Sequence, residues 1–177
     1  MKILTYILIL IPALTFSQTN NKALVDSLRY VDKVPHCLDA VSDQIDTKAI
    51  FWRIVKLKDE AIPILLDKID DTTTTSALVR HFGGYYTVGD LAYVALQEIV
   101  HSIPTFELLG VPFDTNGCGY CAYWQHLSDF SNRQKFKIAL KNWFDKNQQN
   151  LVWTEYKWKG EECFYRNPNN GYYDPRK

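Results

Sequence analysis

The sequence predicts a mainly α-helical domain: a short α–α superhelix or an irregular helical domain, with an aromatic-rich C-terminal extension that has room for a small hairpin. Three observations lead there. Apolar residues recur at helical spacing through most of the chain, two capping-box patterns mark helix starts, and after Asn150 the composition turns aromatic and β-branched.

The first residues are expected to be removed. Lys2 supplies a positive start, Ile3 to Phe16 form an apolar run, and Thr15 and Ser17 stand three and one residues before a cleavage point. The run is shorter than the ~20 residues of a membrane span, contains Pro12 and leads into polar Gln18 to Asn21. Residues 1–17 therefore read as a signal peptide cleaved after Ser17, which places the protein in the periplasm or outside the cell. No cysteine follows the cleavage point to take a lipid. Removing 17 of 177 residues leaves 160, one domain's worth, with 19 basic and 20 acidic residues and a net charge of −1. Such a balance offers no broad field to nucleic acid or anionic lipid, so neither is expected as a partner.

Residues 18–150 carry the helical pattern. Leu24, Leu28 and Val31 share a face ended by Pro35, and Asp46 is placed to cap a second helix whose stripe is Ile50, Phe51, Ile54 and Val55. Ile62, Leu65, Leu66 and Ile69 form the clearest stripe, with Asp59 as cap and Pro63 in the first turn, where a missing N–H costs least. Thr72 to Thr75 read as loop and Gly83-Gly84 as a break. Thr87 and Asp90 fit a capping box for a helix over 88–101. Pro104, Gly110 and Pro112 predict an irregular stretch through Cys121. Ser131 and Gln134 suggest a second capping box, before Phe136, Ala139, Leu140, Trp143 and Phe144 on the last long helix. Residues 151–177 form the extension. Leu151 to Trp158 is a candidate strand, Cys163-Phe164-Tyr165 a candidate return strand, and Asn167 to Gly171 a turn that folds Tyr172 and Tyr173 back.

Lys58 to Leu66 with Asp70-Asp71, an apolar stripe with a proline and then an acidic turn, resembles the first helix and turn of a HEAT-type repeat. Val88 to Ile99, with its close Ala and Leu spacing, resembles the second helix. The resemblance covers 58–100 with an insertion from Thr72 to Thr87. It implies a short helical domain that binds other macromolecules.

Four cysteines, Cys37, Cys118, Cys121 and Cys163, are an even number in a chain expected to be exported, which favours disulfides with three possible connectivities. Cys118-Gly119-Tyr120-Cys121 resembles the active-site motif of thioredoxin-fold disulfide isomerases, and that resemblance implies Cys118 as the attacking thiolate and Cys121 as the resolving thiol. The segment before it, Val111 to Gly117, does not read as the buried strand such a site follows. A structural bond fixing the loop, with Cys37 and Cys163 joining the two ends, is the favoured reading. Cys118, Cys121 and His126 also start a zinc-knuckle spacing, but Phe130 stands where the last ligand would be.

No catalytic residue set emerges. His36, His81, His101 and His126 are scattered and no nucleophile motif accompanies them; His101 fits a protonated imidazole at a helix C-terminus. Gly83-Gly84-Tyr85-Tyr86 lacks the lysine of a phosphate cradle. Nothing in the pattern calls for a cofactor. The candidate binding residues are the C-terminal aromatics Trp153, Tyr156, Trp158, Tyr172 and Tyr173, which serve either as interface anchors or as a cap over the open end of the helical layer. Three functions follow in order of preference. The first is a protein-binding module of the cell envelope, such as an inhibitor or immunity-type factor. The second is a thiol-disulfide oxidoreductase using the CxxC. The third is a carbohydrate or cell-wall binder using the C-terminal aromatics.

Overall fold

The computed structural model describes residues 19–34, 49–80, 82–115, 117–156 and 167–176. The expected signal segment, His36, Cys37, Asp46, His81, Trp158 and the Cys163-Phe164-Tyr165 segment lie outside the described residues. Within them the protein is mainly helical, with seven α-helices and two separate two-stranded antiparallel sheets. None of the described helices is long and apolar enough to cross a membrane.

Helix α1 covers 19–26 and tightens into a 3-10 turn at Ser27–Tyr30. The expected stripe is buried, Leu28 and Val31 fully and Leu24 in part, but the α-helix ends sooner than the stripe suggests. Ser27 explains the change, because its hydroxyl donates to the Leu24 carbonyl at 2.5 Å, a local bond that competes with the helical ladder. Helix α2, Ile50–Val55, buries Trp52 in addition to the expected Phe51, Ile54 and Val55. A 3-10 turn, Lys58–Ala61, leads into α3, Ile62–Lys68, with Pro63 in its first turn as expected. Asp59 is no cap: it sits in the preceding turn and accepts a hydrogen bond from the Tyr173 hydroxyl at 3.2 Å.

Thr74 and Thr75 depart from the loop expected of them. They begin β1, Thr74–Leu78, which pairs with β2, Tyr85–Thr87. The same β-branching that disfavours helix suits a pleated strand, and the Thr75 hydroxyl ties the hairpin by donating to the Tyr86 carbonyl at 2.8 Å. Gly83 and Gly84 make the reversal at φ +72° and +77°, values that L side chains rarely adopt.

Helix α4, Val88–Ile99, is the centre of the fold, with Leu91, Ala92, Ala95, Leu96 and Ile99 all buried. Its capping box forms as expected: the Asp90 amide donates to the Thr87 hydroxyl at 3.2 Å, and the Thr87 amide to the Asp90 carboxylate at 2.9 Å. Gly89 lets α4 start against the end of α3. Its amide donates to the Asp71 carbonyl at 2.8 Å, and a Cβ there would collide with the Ile69 carbonyl.

The stretch expected to be irregular contains one short helix, α5 at Thr105–Leu109, and ends where α6, Cys121–Leu127, begins. Helix α7, Phe130–Asn147, buries Phe136, Leu140 and Phe144 on the expected face. Its cap is Asp129, whose carboxylate accepts from the Ser131 amide at 2.7 Å, so the expected Ser131–Gln134 box is not the one used. Strand β3, Leu151–Glu155, pairs with β4, Gly171–Pro175, after the turn at Asn167 to Asn170, so the first strand is shorter than 151–158. The hairpin docks on the end of α4, where the His101 amide donates to the Tyr173 carbonyl at 2.9 Å.

Candidate functional site: an aromatic face beside Cys118 and Cys121

The sulfurs of Cys118 and Cys121 stand at disulfide-bonding distance, with their Cα atoms 5.3 Å apart. Cys118 lies in an exposed turn and Cys121 opens α6. Bonded to each other, the two sulfurs are neither a free nucleophile nor thiolate ligands for a metal. His126, the third member of the expected zinc spacing, is half-buried on α6, and its backbone carbonyl accepts from the Asn132 side chain at 3.0 Å. Among the described residues no group of three His, Cys, Asp or Glu side chains is placed to hold a metal.

The loop around the bond carries a continuous run of rings. Phe82 meets Trp124 at 5.8 Å between centroids, Trp124 meets Tyr123 at 4.9 Å, Tyr123 meets Tyr120 at 6.0 Å, and Tyr120 meets Phe113 at 5.9 Å. Tyr86 and Phe106 join from the sides, Tyr86 on Trp124 and Phe106 on both Phe113 and Tyr120. The middle of the run is anchored. Tyr123 is buried and packs on Tyr93 and Phe136 in the core. The run reaches solvent at Phe82, Phe113 and Tyr120, which are 40, 46 and 39 % exposed, and Tyr85 in the adjoining hairpin is 55 % exposed. Leu78, opposite Tyr85 in the hairpin, is 65 % exposed and extends the apolar surface. Scattered exposed aromatics need no explanation, whereas a contiguous set rooted in the core does.

Beneath this face lies a charged tie. Arg133 on α7 donates to Asp90 Oδ1 at 2.9 Å and to the Thr87 hydroxyl at 3.2 Å, and both charged side chains are buried. Burial holds the Tyr123 hydroxyl well above its ordinary pKa, with the Asp90 charge adding to the effect; Tyr86 is raised by the same two causes. Both shifts favour the neutral hydroxyls of Tyr123 and Tyr86.

The C-terminal aromatics sit elsewhere. Trp153, Tyr156, Tyr172 and Tyr173 are half-buried and pack on one another and on the body. The Tyr172 ring stacks on His101 at 3.7 Å, and Lys58 Nζ stands 4.0 Å over the Trp153 ring. His101 lies two residues beyond the end of α4, not in its last turn as expected from sequence. Desolvation lowers its pKa, with Asp174 pulling the other way. Next to it, burial raises the Glu98 carboxyl to about 7, opposed by a hydrogen bond from Asn167. The Asn167 amide also donates to the Glu98 carbonyl at 2.6 Å, fastening the hairpin turn to α4.

Sequence reasoning weighed the aromatics after residue 150 and missed those between 82 and 124. A signal was available, since Phe82, Tyr85 and Tyr86 flank the glycine pair while Tyr120, Tyr123 and Trp124 interleave with the CxxC. Their convergence depends on the β1–β2 hairpin, which was not foreseen.

Fold and surface together define a mainly helical protein with a disulfide-clamped aromatic face. No protein-family model matches the chain, and no curated protein or solved structure is significantly similar to it.

Proposed function

We propose that this is an exported protein-binding module of the cell envelope, acting as an inhibitor or immunity-type factor, and that the face from Phe82 to Phe113 is its contact surface. The observation that carries the reading is the unbroken run of rings whose centre, Tyr123, is buried in the core and whose ends are exposed. Tyr, Trp and Phe are enriched in interfaces, and Trp and Tyr in their hot spots, because they bury large area for few rotatable bonds. The close packing of α3 on α4 at Gly89 supports the HEAT-like reading of that pair, a scaffold class whose members mostly bind macromolecules; this part is analogy. The expected export signal supplies the compartment, and the Cys118–Cys121 pair suits an oxidising one.

The exposure of Cys118 in the turn before α6 favours a second reading, a thiol-disulfide exchange protein. Carbohydrate binding through the C-terminal aromatics has less support, because Trp153 and Tyr173 pack on each other and Tyr172 stacks on His101.

Capture from an envelope extract of the source cells separates these readings. The wild-type chain is expected to retain a defined protein that the folded Phe113→Ala/Tyr120→Ala double variant loses. Retention unchanged by the double variant, or capture as a mixed disulfide by Cys121→Ser alone, would overturn the binding reading.

A further inference from the structure

The seam between α3 and α7 carries a ladder of ion pairs. Asp70 on the α3 side meets Lys137 at 2.7 Å, and one turn along Asp67 meets Lys141 at 2.5 Å. The next turn breaks the pattern. On α7 the position after Lys137 and Lys141 in the i, i+4 series is Asp145, which shares a groove with Pro63 of α3. There a groove of about 470 Å³ opens, bounded by α3, the end of α7 and the β3–β4 hairpin. Its floor is apolar, formed by Leu66, Phe144 and Leu151, with the first two buried. Asp59 and Asp145 stand exposed at its rim, and among the described residues no Lys or Arg lines it. One oxygen of Asp59 accepts a hydrogen bond from the Tyr173 hydroxyl.

We infer that this groove takes a lysine or arginine side chain from a partner protein, the aliphatic stem lying on Leu66, Phe144 and Leu151 and the cation between Asp59 and Asp145. The incoming cation completes the ladder at the one turn where the chain supplies an acid instead of a lysine. The chemistry matches the occupant, since a long basic side chain buries an apolar stem while its head stays polar. The volume exceeds one such side chain and admits the flanking backbone. This site shares no residue with the aromatic face, so it stands or falls separately from the function proposed above.

The test is a titration of the whole folded chain with acetyl-Gly-Lys-Gly-amide and with its norleucine analogue, followed by the backbone NMR signals of Leu66, Phe144 and Leu151. Saturable shifts are expected with the lysine peptide, with the norleucine peptide weaker by about threefold, the scale of one exposed ion pair. Asp145→Asn removes that difference with little change of shape, and Asp145→Lys extends the ladder and abolishes binding. Equal affinity for the two peptides, unchanged lysine-peptide binding in Asp145→Asn, or no saturable shift with either peptide would overturn the inference.

Discussion

Arg133 on α7 holds the carboxylate of Asp90 on α4 with two hydrogen bonds, at 2.9 and 3.4 Å, inside the protein. Asp90 is also half of the capping box that starts α4, so one carboxylate sets both where the central helix begins and how the last long helix lies on it. Removing one member of such a pair leaves a buried charge. Arg133→Met is expected to lower the unfolding free energy by about 3 kcal/mol in urea titration. Arg133→Lys should fall between Met and wild type, because an ammonium lacks the two-pronged geometry.

Gly89 has a different reason to be small. Alanine is the better helix former by about 1 kcal/mol, yet its Cβ would collide with the Ile69 carbonyl at the α3–α4 contact. Gly89→Ala is therefore expected to destabilise by about 1–3 kcal/mol, the range for overpacking. A gain in stability on thermal unfolding would show that the two helices can part without loss.

Glu98 makes the docking of the C-terminal hairpin depend on pH. Its carboxyl titrates near 7 in the folded protein against 4.5 as the reference for the unfolded chain, because burial disfavours the charged form. The raised value means the folded state binds the proton more tightly. Its contribution is complete below about pH 4.5 and is lost as pH rises toward 7. His101 works in the opposite sense: its lowered pKa favours the folded state above the ordinary imidazole value and withdraws that support in acid. Comparing wild type with Glu98→Gln isolates the carboxyl. The variant should lose the fall in Tm between pH 4.5 and 7 and be the more stable of the two at pH 8. Parallel Tm profiles would contradict this account of Glu98.

The Cys118–Cys121 bond closes a very short loop, so chain entropy gives it only about 2 kcal/mol. Its larger effect should be on Tyr120, which lies inside the loop and links Phe113 to Tyr123. Cys118→Ser/Cys121→Ser is expected to stay folded, with modestly lower stability, and to bind partner more weakly than wild type in the capture assay. Equal capture would show that the aromatic face needs no clamp.

Much of the helical layer was legible in the sequence because burial writes a 3.6-residue period: the stripes of α3, α4 and α7 and the Thr87–Asp90 box can be read directly. The misreadings share a cause. Where local and tertiary preferences compete, composition shows only one of them. The threonine run reads as a loop until Tyr86 offers Thr75 a partner, and Asp59 reads as a cap until Tyr173 arrives from the far end of the chain. Capping choices one or two residues apart, Asp129 against Ser131, turn on geometry that spacing cannot resolve. The aromatic face was harder still. Phe82 comes from the β1–β2 turn and Phe113 and Tyr120 from the α5–α6 connection, and Tyr123 and Trp124 of α6 join the two.

The central claim is that partners bind at this face, and site-specific photocross-linking in the source cells tests it most directly. Benzoylphenylalanine placed at Phe113 or Tyr85 should join the chain to one defined protein under illumination, while the same group at exposed Ile138 on α7 should not. Cross-links of equal yield from Ile138, or none from Phe113 and Tyr85, would contradict the assignment of this surface.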